Sequence, residues 1–274
     1  EAGFGKIKYK IMMDKLQRGI CRLSIVPVRK EPAHGSELVT QLLFGDHYTI
    51  LSHTPDKNWI HIKIYFDEYE GWIDIKQSRT ISEEYFHDMI NNEFKISTEL
   101  TTSILYRKKP LQIVMGSILP IAHTELFDFD EQFAFNGEAK NLGQKRDFDF
   151  IKSTALKYLN TPYLWGGKTP FGIDCSGFAQ MVFKIAGYKL KRDTSEQARQ
   201  GQIIKELNDS KPGDLAFFSD SKGKIGHVGI IFEEQKIIHA HGQVRIDEIN
   251  EEGIYNVKNN IKTHKLEFIK RILR

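Results

Sequence analysis

The chain has 274 residues with 39 Lys and Arg against 36 Asp and Glu, a formal net charge of only +3, and no basic stripe, so a nucleic-acid partner is not expected. That length exceeds one ordinary domain and predicts two or three. No apolar run reaches the roughly 18 residues a membrane helix needs, and two cysteines, Cys21 and Cys175, do not make a disulfide framework.

In chain order, short β-type runs come first: Ile25–Val28, Glu37–Leu43, His47–Leu51, Trp59–Lys63 and Gly71–Ile73, separated by turn residues. Five strands within about 50 residues predict a small barrel over 1–80. Cys21, followed by Leu23, Ile25 and Val26, reads as a strand residue without chemistry. Residues 81–95 read as a helical linker with Tyr85, Met89 and Ile90 on one face. Ile104-Leu105-Tyr106, Val114, Ile118-Leu119-Pro120-Ile121 and Phe133-Ala134-Phe135 then predict a second, divergent barrel over 96–142, without the Gly-Trp pair that closes the first.

Residues 143–274 carry the chemistry. Tyr163-Leu164-Trp165-Gly166-Gly167 is a loop whose aromatic side chains and glycines suit a cleft, although core packing would use the same aromatics. After it, Phe178, Met181, Val182, Ile185 and Ala186 keep the i, i+3, i+4, i+7, i+8 spacing of an amphipathic helix that Gly187 ends. Cys175 therefore sits in the first turn, where unpaired N–H groups favour thiolate and can bring a cysteine pKa from about 8.5 into roughly the 3.5–7.5 range. Asp174 opposes that charge; it reads as a helix N-cap and as the partner of a bound cation, two roles that are compatible.

Lys224–Phe232 and Lys236–His241 are the arms of a hairpin about Glu233-Glu234-Gln235, placing His227 and His239 near its open end on facing strands. A thiol nucleophile needs a base and the base an orienting group, and Cys175, His227 and His239 supply these roles. His241 shares the strand parity of His239 and competes for the third role. Zinc is the rival use of the same residues, but Cys-x-x-Cys and His-x-x-x-His pairs are both missing, so neither a metal nor another cofactor is expected.

Six runs in order, Thr161–Gly167, Asp174–Phe178, Arg192–Ser195, Lys211–Leu215, Gly226–Ile230 and Ile238–Ala240, resemble the NlpC-type cysteine peptidases of bacterial cell-wall turnover. The first barrel, ending in Tyr69-Glu70-Gly71-Trp72-Ile73, resembles bacterial SH3-like domains. The resemblance implies an α+β chain: a papain-like C-terminal peptidase domain over 143–274, preceded by small SH3-like β-barrels. It makes Cys175 the nucleophile, His227 the base and His239 the orienting group, acting on the γ-D-glutamyl bond to L-lysine or meso-diaminopimelate in peptidoglycan stem peptides. The Cys175 N–H is the expected oxyanion donor. By the same resemblance Asp174 holds the α-ammonium of a free N-terminal L-Ala, and Tyr163, Ser176 and Ser195 meet the substrate, with Trp165 an aromatic wall of the same cleft. Arg192 supports their loop, and Tyr69 and Glu70 reach the cleft from the barrel.

An acyltransferase or amidase using the same thiolate, and a non-catalytic wall-binding module, are the alternatives. The opening on Glu1 leads to the expectation of a removed leader and a place in the cell envelope or periplasm, with the cytoplasm as the other option. No oligomeric state is legible.

Overall fold

The computed structural model describes residues 17–119, 133–220, 222–233, 235–256 and 261–273. The N-terminal part is a sheet of seven short antiparallel strands among the described residues: β1 (Arg18–Ile20), β2 (Ile25–Arg29), β3 (Leu38–Leu43), β4 (His47–His53), β5 (Trp59–Ile64), β6 (Glu70–Asp74) and β7 (Arg79–Ile81), in the order β3-β2-β6-β5-β4-β1-β7. Alternation drives it, since Val26 and Val28 of β2 and Ile60, Ile62 and Ile64 of β5 turn inward and pack on Leu42, Tyr48 and Ile73. All five expected strands form. The additions, β1 and β7, pair with each other and have three residues each, too few to show a period. Cys21 lies just past β1, buried, with its S–H directed at the Leu23 carbonyl.

Helix α1 (Glu83–Asn91) is capped by Ser82, whose hydroxyl accepts from the Tyr85 N–H. It is shorter than the expected 81–95 linker, because Ile81 ends β7 and Lys95 opens the next strand. Its inward face also differs: Phe86 and Met89 are buried, while Tyr85 and Ile90 are half-exposed. Tertiary contacts set that rotation, with the Arg18 guanidinium 4.4 Å from the Phe86 ring centre and also paired with Glu83.

Next come β8 (Lys95–Ser97), β9 (Thr101–Tyr106), β10 (Lys109–Val114), β11 (Ile118–Leu119), β12 (Phe133–Phe135) and β13 (Ala139–Asn141), as two three-stranded sheets, β10-β9-β12 and β11-β8-β13. Pro120 and Ile121 of the expected third run lie outside the described residues. Phe44, in the turn after β3, joins Ile104, Ile113 and Leu119 in one cluster, so the two N-terminal units interlock.

The C-terminal part holds α2 (Phe148–Lys157), the small hairpin β14 (Lys168–Thr169) with β15 (Gly172–Ile173), α3 (Cys175–Ile185) and α4 (Thr194–Gln197). It also holds an antiparallel sheet in the order β16-β22-β17-β18-β19-β20-β21. Its strands are β16 (Gln202–Ile204), β17 (Leu215–Ser219), β18 (Ile225–Glu233), β19 (Lys236–His241), β20 (Gln243–Asn250), β21 (Gly253–Asn256) and β22 (Ile261–Arg271), and a β21–β22 pairing curls the sheet closed.

Phe178, Met181, Val182 and Ile185 of α3 pack on Val228, Ile230, Ile238 and Ala240. The rest of α3 is buried too, against expectation for an amphipathic helix. Its polar side docks on the first barrel: Lys184 Nζ meets Asp46 Oδ1 at 2.8 Å and Gln180 Nε2 donates to Asp67 Oδ2 at 2.9 Å. The helix that begins with Cys175 is thus clamped between sheet and barrel, which fixes where the sulfur can be.

Candidate active site

Cys175 is the first residue of α3 and only 6% exposed. Its Sγ lies 3.9 Å from the Gly226 carbonyl oxygen, one residue before His227, and 3.9 Å from the Thr194 hydroxyl. The expectation of a depressed thiol pKa is overturned. Burial, and then the charge of Asp174, push it up to about 11 against the Val228 N–H, the Thr194 hydroxyl and Arg192. Desolvation disfavours the charged form of a buried sulfur.

Asp174 is the N-cap, Oδ1 accepting from the Gly177 N–H at 2.7 Å. Oδ2 accepts from the Gly166 N–H at 2.8 Å, Ser176 Oγ donates to Oδ1 at 3.3 Å, and Arg192 forks onto both oxygens at 3.0 and 2.6 Å. A carboxylate has about four acceptor sites, so these five donors occupy it fully, and the cation it holds is Arg192. That guanidinium, 1% exposed, also donates to Thr40 of β3, so the ion pair ties the nucleophile's turn to the barrel. Asp174 nevertheless also lines the cavity that holds the Cys175 sulfur.

His227 and His239 come together, but not as directly opposed residues. The partner of His239 across β18–β19 is Gly229, and His227 reaches diagonally so that its Nε2 lies 2.8 Å from His239 Nδ1. The reach exists because position 229 has no side chain: a Cβ there would stand 2.6 Å from Ile237 Cδ1 and 3.0 Å from the His239 Cβ. His239 Nε2 in turn lies 3.1 Å from Asp247 Oδ2 on β20, and Arg245 Nη2 donates to Asp247 Oδ1 at 2.7 Å. His241 stays outside this chain of bonds, its ring centre 6.3 Å from that of His227.

Burial, then the neighbouring imidazoles of His239, His264 and His241, holds His227 well below the ordinary imidazole range. Burial also lowers His239, against the pull of Asp247. Asp247 is held at about 2, where hydrogen bonds from His239 and Arg245 outweigh the burial that would raise it.

Two concavities meet at Tyr163 and Gly226. One, of about 410 Å³, contains Cys175 and Asp174 and is lined by all of Tyr163, Trp165, Ser176, Ser195, Tyr69 and Glu70. The other, of about 690 Å³, contains His227, His241 and His264. Trp165 is no core residue: it is 60% exposed and its Nε1 donates to Glu37 Oε1 of the barrel at 2.8 Å. Gly166 permits this, since at φ +76° a Cβ there would lie 2.4 Å from the Leu38 carbonyl oxygen.

Three residues escaped the sequence reading. Asp193 faces the smaller cavity and accepts from the Tyr69 hydroxyl; burial raises its pKa despite Arg192. It stood inside the run Arg192–Ser195 without a partner to mark it. Asp247 was detectable as a carboxylate, next to Glu248, in the β-type run Val244–Ile249. His264, whose ring is 4.1 Å from that of His227, had no local signal.

A cysteine at a buried helix start, against two neighbouring strands that each contribute one of a pair of hydrogen-bonded imidazoles, serves nucleophilic attack on an acyl carbon, and the molecule is a cysteine peptidase. Residues 160–262 match the NlpC/P60 family and residues 28–77 match the bacterial dipeptidyl-peptidase SH3 domain. The chain belongs to the NlpC/P60 family of cell-wall peptidoglycan hydrolases. It is 30% identical over 221 residues to a gamma-D-glutamyl-L-lysine dipeptidyl-peptidase of Bacillus subtilis, covering 73% of this chain and 71% of that one. With dipeptidyl-peptidase 6 of Lysinibacillus sphaericus it shares 26% identity over 248 residues, 81% of this chain and 88% of the other. A crystal structure of an NlpC/P60 family protein from Bacillus cereus superposes with a TM-score of 0.73 at 20% identity, covering 94% and 100% of the two chains, and shares the fold. Among the described residues no helix is long and apolar enough to cross a membrane.

Proposed function

We propose that this enzyme hydrolyses the bond between γ-D-glutamate and L-lysine or meso-diaminopimelate in freed peptidoglycan stem peptides that retain an N-terminal L-Ala amine. The observation that carries the reading is the pair of carboxylates, Glu70 and Asp193, in the same 410 Å³ cavity as the Cys175 sulfur, with Tyr69 donating to Asp193. Their charge suits an ammonium at the cavity end, beside Asp174, which already holds Arg192. Removal of a dipeptide, the activity named for the Bacillus subtilis relative, requires such reading of an amino end. In this reading residues 143–274 are the peptidase, and the barrels over 1–80 and 96–142, joined through 81–95, narrow its cleft. The substrate's origin argues for action in the cell envelope.

In the reaction His227 takes the Cys175 proton as the sulfur attacks the γ-carbonyl carbon, and His239 orients His227. The first-turn N–H of Cys175 and the neutral Tyr163 hydroxyl receive the developing oxyanion; burial raises the Tyr163 pKa and keeps that proton in place. His227 then protonates the departing α-amine, which leaves through the larger cavity, and water attacks the thioester by the reverse proton path. Incubation with L-Ala-γ-D-Glu-diaminopimelate and with the lysine tripeptide, read by mass spectrometry, should yield L-Ala-γ-D-Glu from at least one. No dipeptide at high enzyme, or undiminished dipeptide from Cys175→Ala, rejects the reading.

A further inference from the structure

We propose that Asp247 is a positioning residue that selects the tautomer of both catalytic-site histidines, and thereby decides whether His227 can act as a base. The proposal rests on the role of His227 above. Asp247 is 2% exposed, and held near pKa 2 it is a carboxylate that only accepts hydrogen bonds. The His239 Nε2, 3.1 Å from Oδ2, must therefore carry a proton. A neutral imidazole has one N–H, so His239 Nδ1 is bare and accepts from His227 Nε2 at 2.8 Å. That consumes the single proton of neutral His227, and its Nδ1 is left with the lone pair that takes the thiol proton.

Reverse the first step and the whole chain reverses. Were His239 protonated on Nδ1, it would donate to His227 Nε2, His227 would carry its proton on Nδ1, and no lone pair would remain for the sulfur. The other imidazoles packed around the pair do not compete for these atoms: His264 turns its Nδ1 to the Thr263 hydroxyl at 2.8 Å, and His241 meets the pair ring to ring. The direction of two hydrogen bonds is set by one carboxylate at the far end.

Arg245 makes this testable in an unusual way. Its Nη2 donates to Asp247 Oδ1 at 2.7 Å, so in Asp247→Asn the amide oxygen must stay on Arg245 and the NH₂ must face His239. The donor then forces the inverted tautomers. Removing the guanidinium as well frees the amide to turn its oxygen to His239 Nε2 and restore the productive ones.

The experiment is nitrogen NMR of histidine-labelled full chain with two rates, tripeptide turnover and iodoacetamide alkylation of Cys175 located by peptide mass mapping. In the unsubstituted protein His227 and His239 should both be protonated on Nε2. Asp247→Asn should invert both and lower kcat on the order of 10²–10⁴-fold with little change in KM, with alkylation slowed in parallel. Asp247→Asn with Arg245→Leu should return the tautomers and at least about tenfold of the lost rate, which a purely structural role would not do. A His227 protonated on Nδ1 in the unsubstituted protein, or a double variant no faster than the single, overturns the proposal. If the tripeptides are not cut but the NMR and alkylation results appear, the substrate reading fails and the tautomer control stands.

Discussion

Gly229 stands directly across the ladder from His239, and the empty position is what lets His227 bond His239 from two residues away. Gly229→Ala would put a methyl group 3.0 Å from the His239 Cβ and 2.6 Å from Ile237 Cδ1. Overpacking of this kind costs about 1–3 kcal/mol. The displaced ring should also cost kcat about tenfold to a hundredfold. Urea unfolding and steady-state kinetics on the same variant would show both; a variant with normal kcat would mean that the diagonal bond does not matter.

The free-amine preference should separate Asp174 from Glu70 and Asp193. Glu70→Gln and Asp193→Asn are each expected to raise KM for the free tripeptide about tenfold, as loss of a charge-assisted contact does, while an N-acetylated copy is unaffected. Asp174→Asn should instead lower stability, since it leaves Arg192 buried with a neutral partner. A KM effect confined to Asp174→Asn would return the ammonium to that residue.

Lys184→Met should be among the most damaging changes outside the cleft. It strands the Asp46 carboxylate, 2.8 Å away and buried, between barrel and helix. Leaving one member of a buried pair costs about 3–5 kcal/mol. Replacing both residues by apolar ones should recover much of the loss, and thermal unfolding of the three variants would decide it.

Stability should fall as pH drops from 7 towards 4. His47 is held at about 4 by burial, His264 at about 3 by burial and its neighbouring imidazoles, and His227 well below its ordinary value. Each protonates more readily unfolded, with a pKa of about 6.5, so between the folded pKa and 6.5 the unfolded chain binds more protons and stability rises with pH. Each such histidine contributes a slope of up to about 1.4 kcal/mol per pH unit in that window. Urea midpoints at pH 7.5, 6 and 4.5 should decrease in that order; a flat series would contradict the burial of the cluster.

Alkylation of Cys175 by a small neutral reagent should be slow at pH 7 and climb towards pH 11, because burial and Asp174 hold the sulfur protonated there. A rate already level by pH 7 would indicate a stored thiolate and imidazolium pair.

How much was readable beforehand follows from distance along the chain. Alternating Val26, Val28, Ile60 and Ile62 expose their period within a few residues, and the five barrel strands could be placed from it. The apolar spacing after Cys175 likewise set the start of α3. The face of α1 departs from the one its apolar spacing predicts because Arg18, 65 residues before Glu83, fixes its rotation. No local pattern records such a partner.

The order of the residues alone determined which sulfur begins a helix, which histidines lie on a hairpin, and that a small barrel precedes them, since these depend on propensity and periodicity between near neighbours. Folding decided the electrostatics. Arg192 claimed Asp174, Asp247 attached itself to His239, and burial between sheet and barrel kept the sulfur protonated. A charge's state depends on what surrounds it in space, and those surroundings came from segments far apart in the chain.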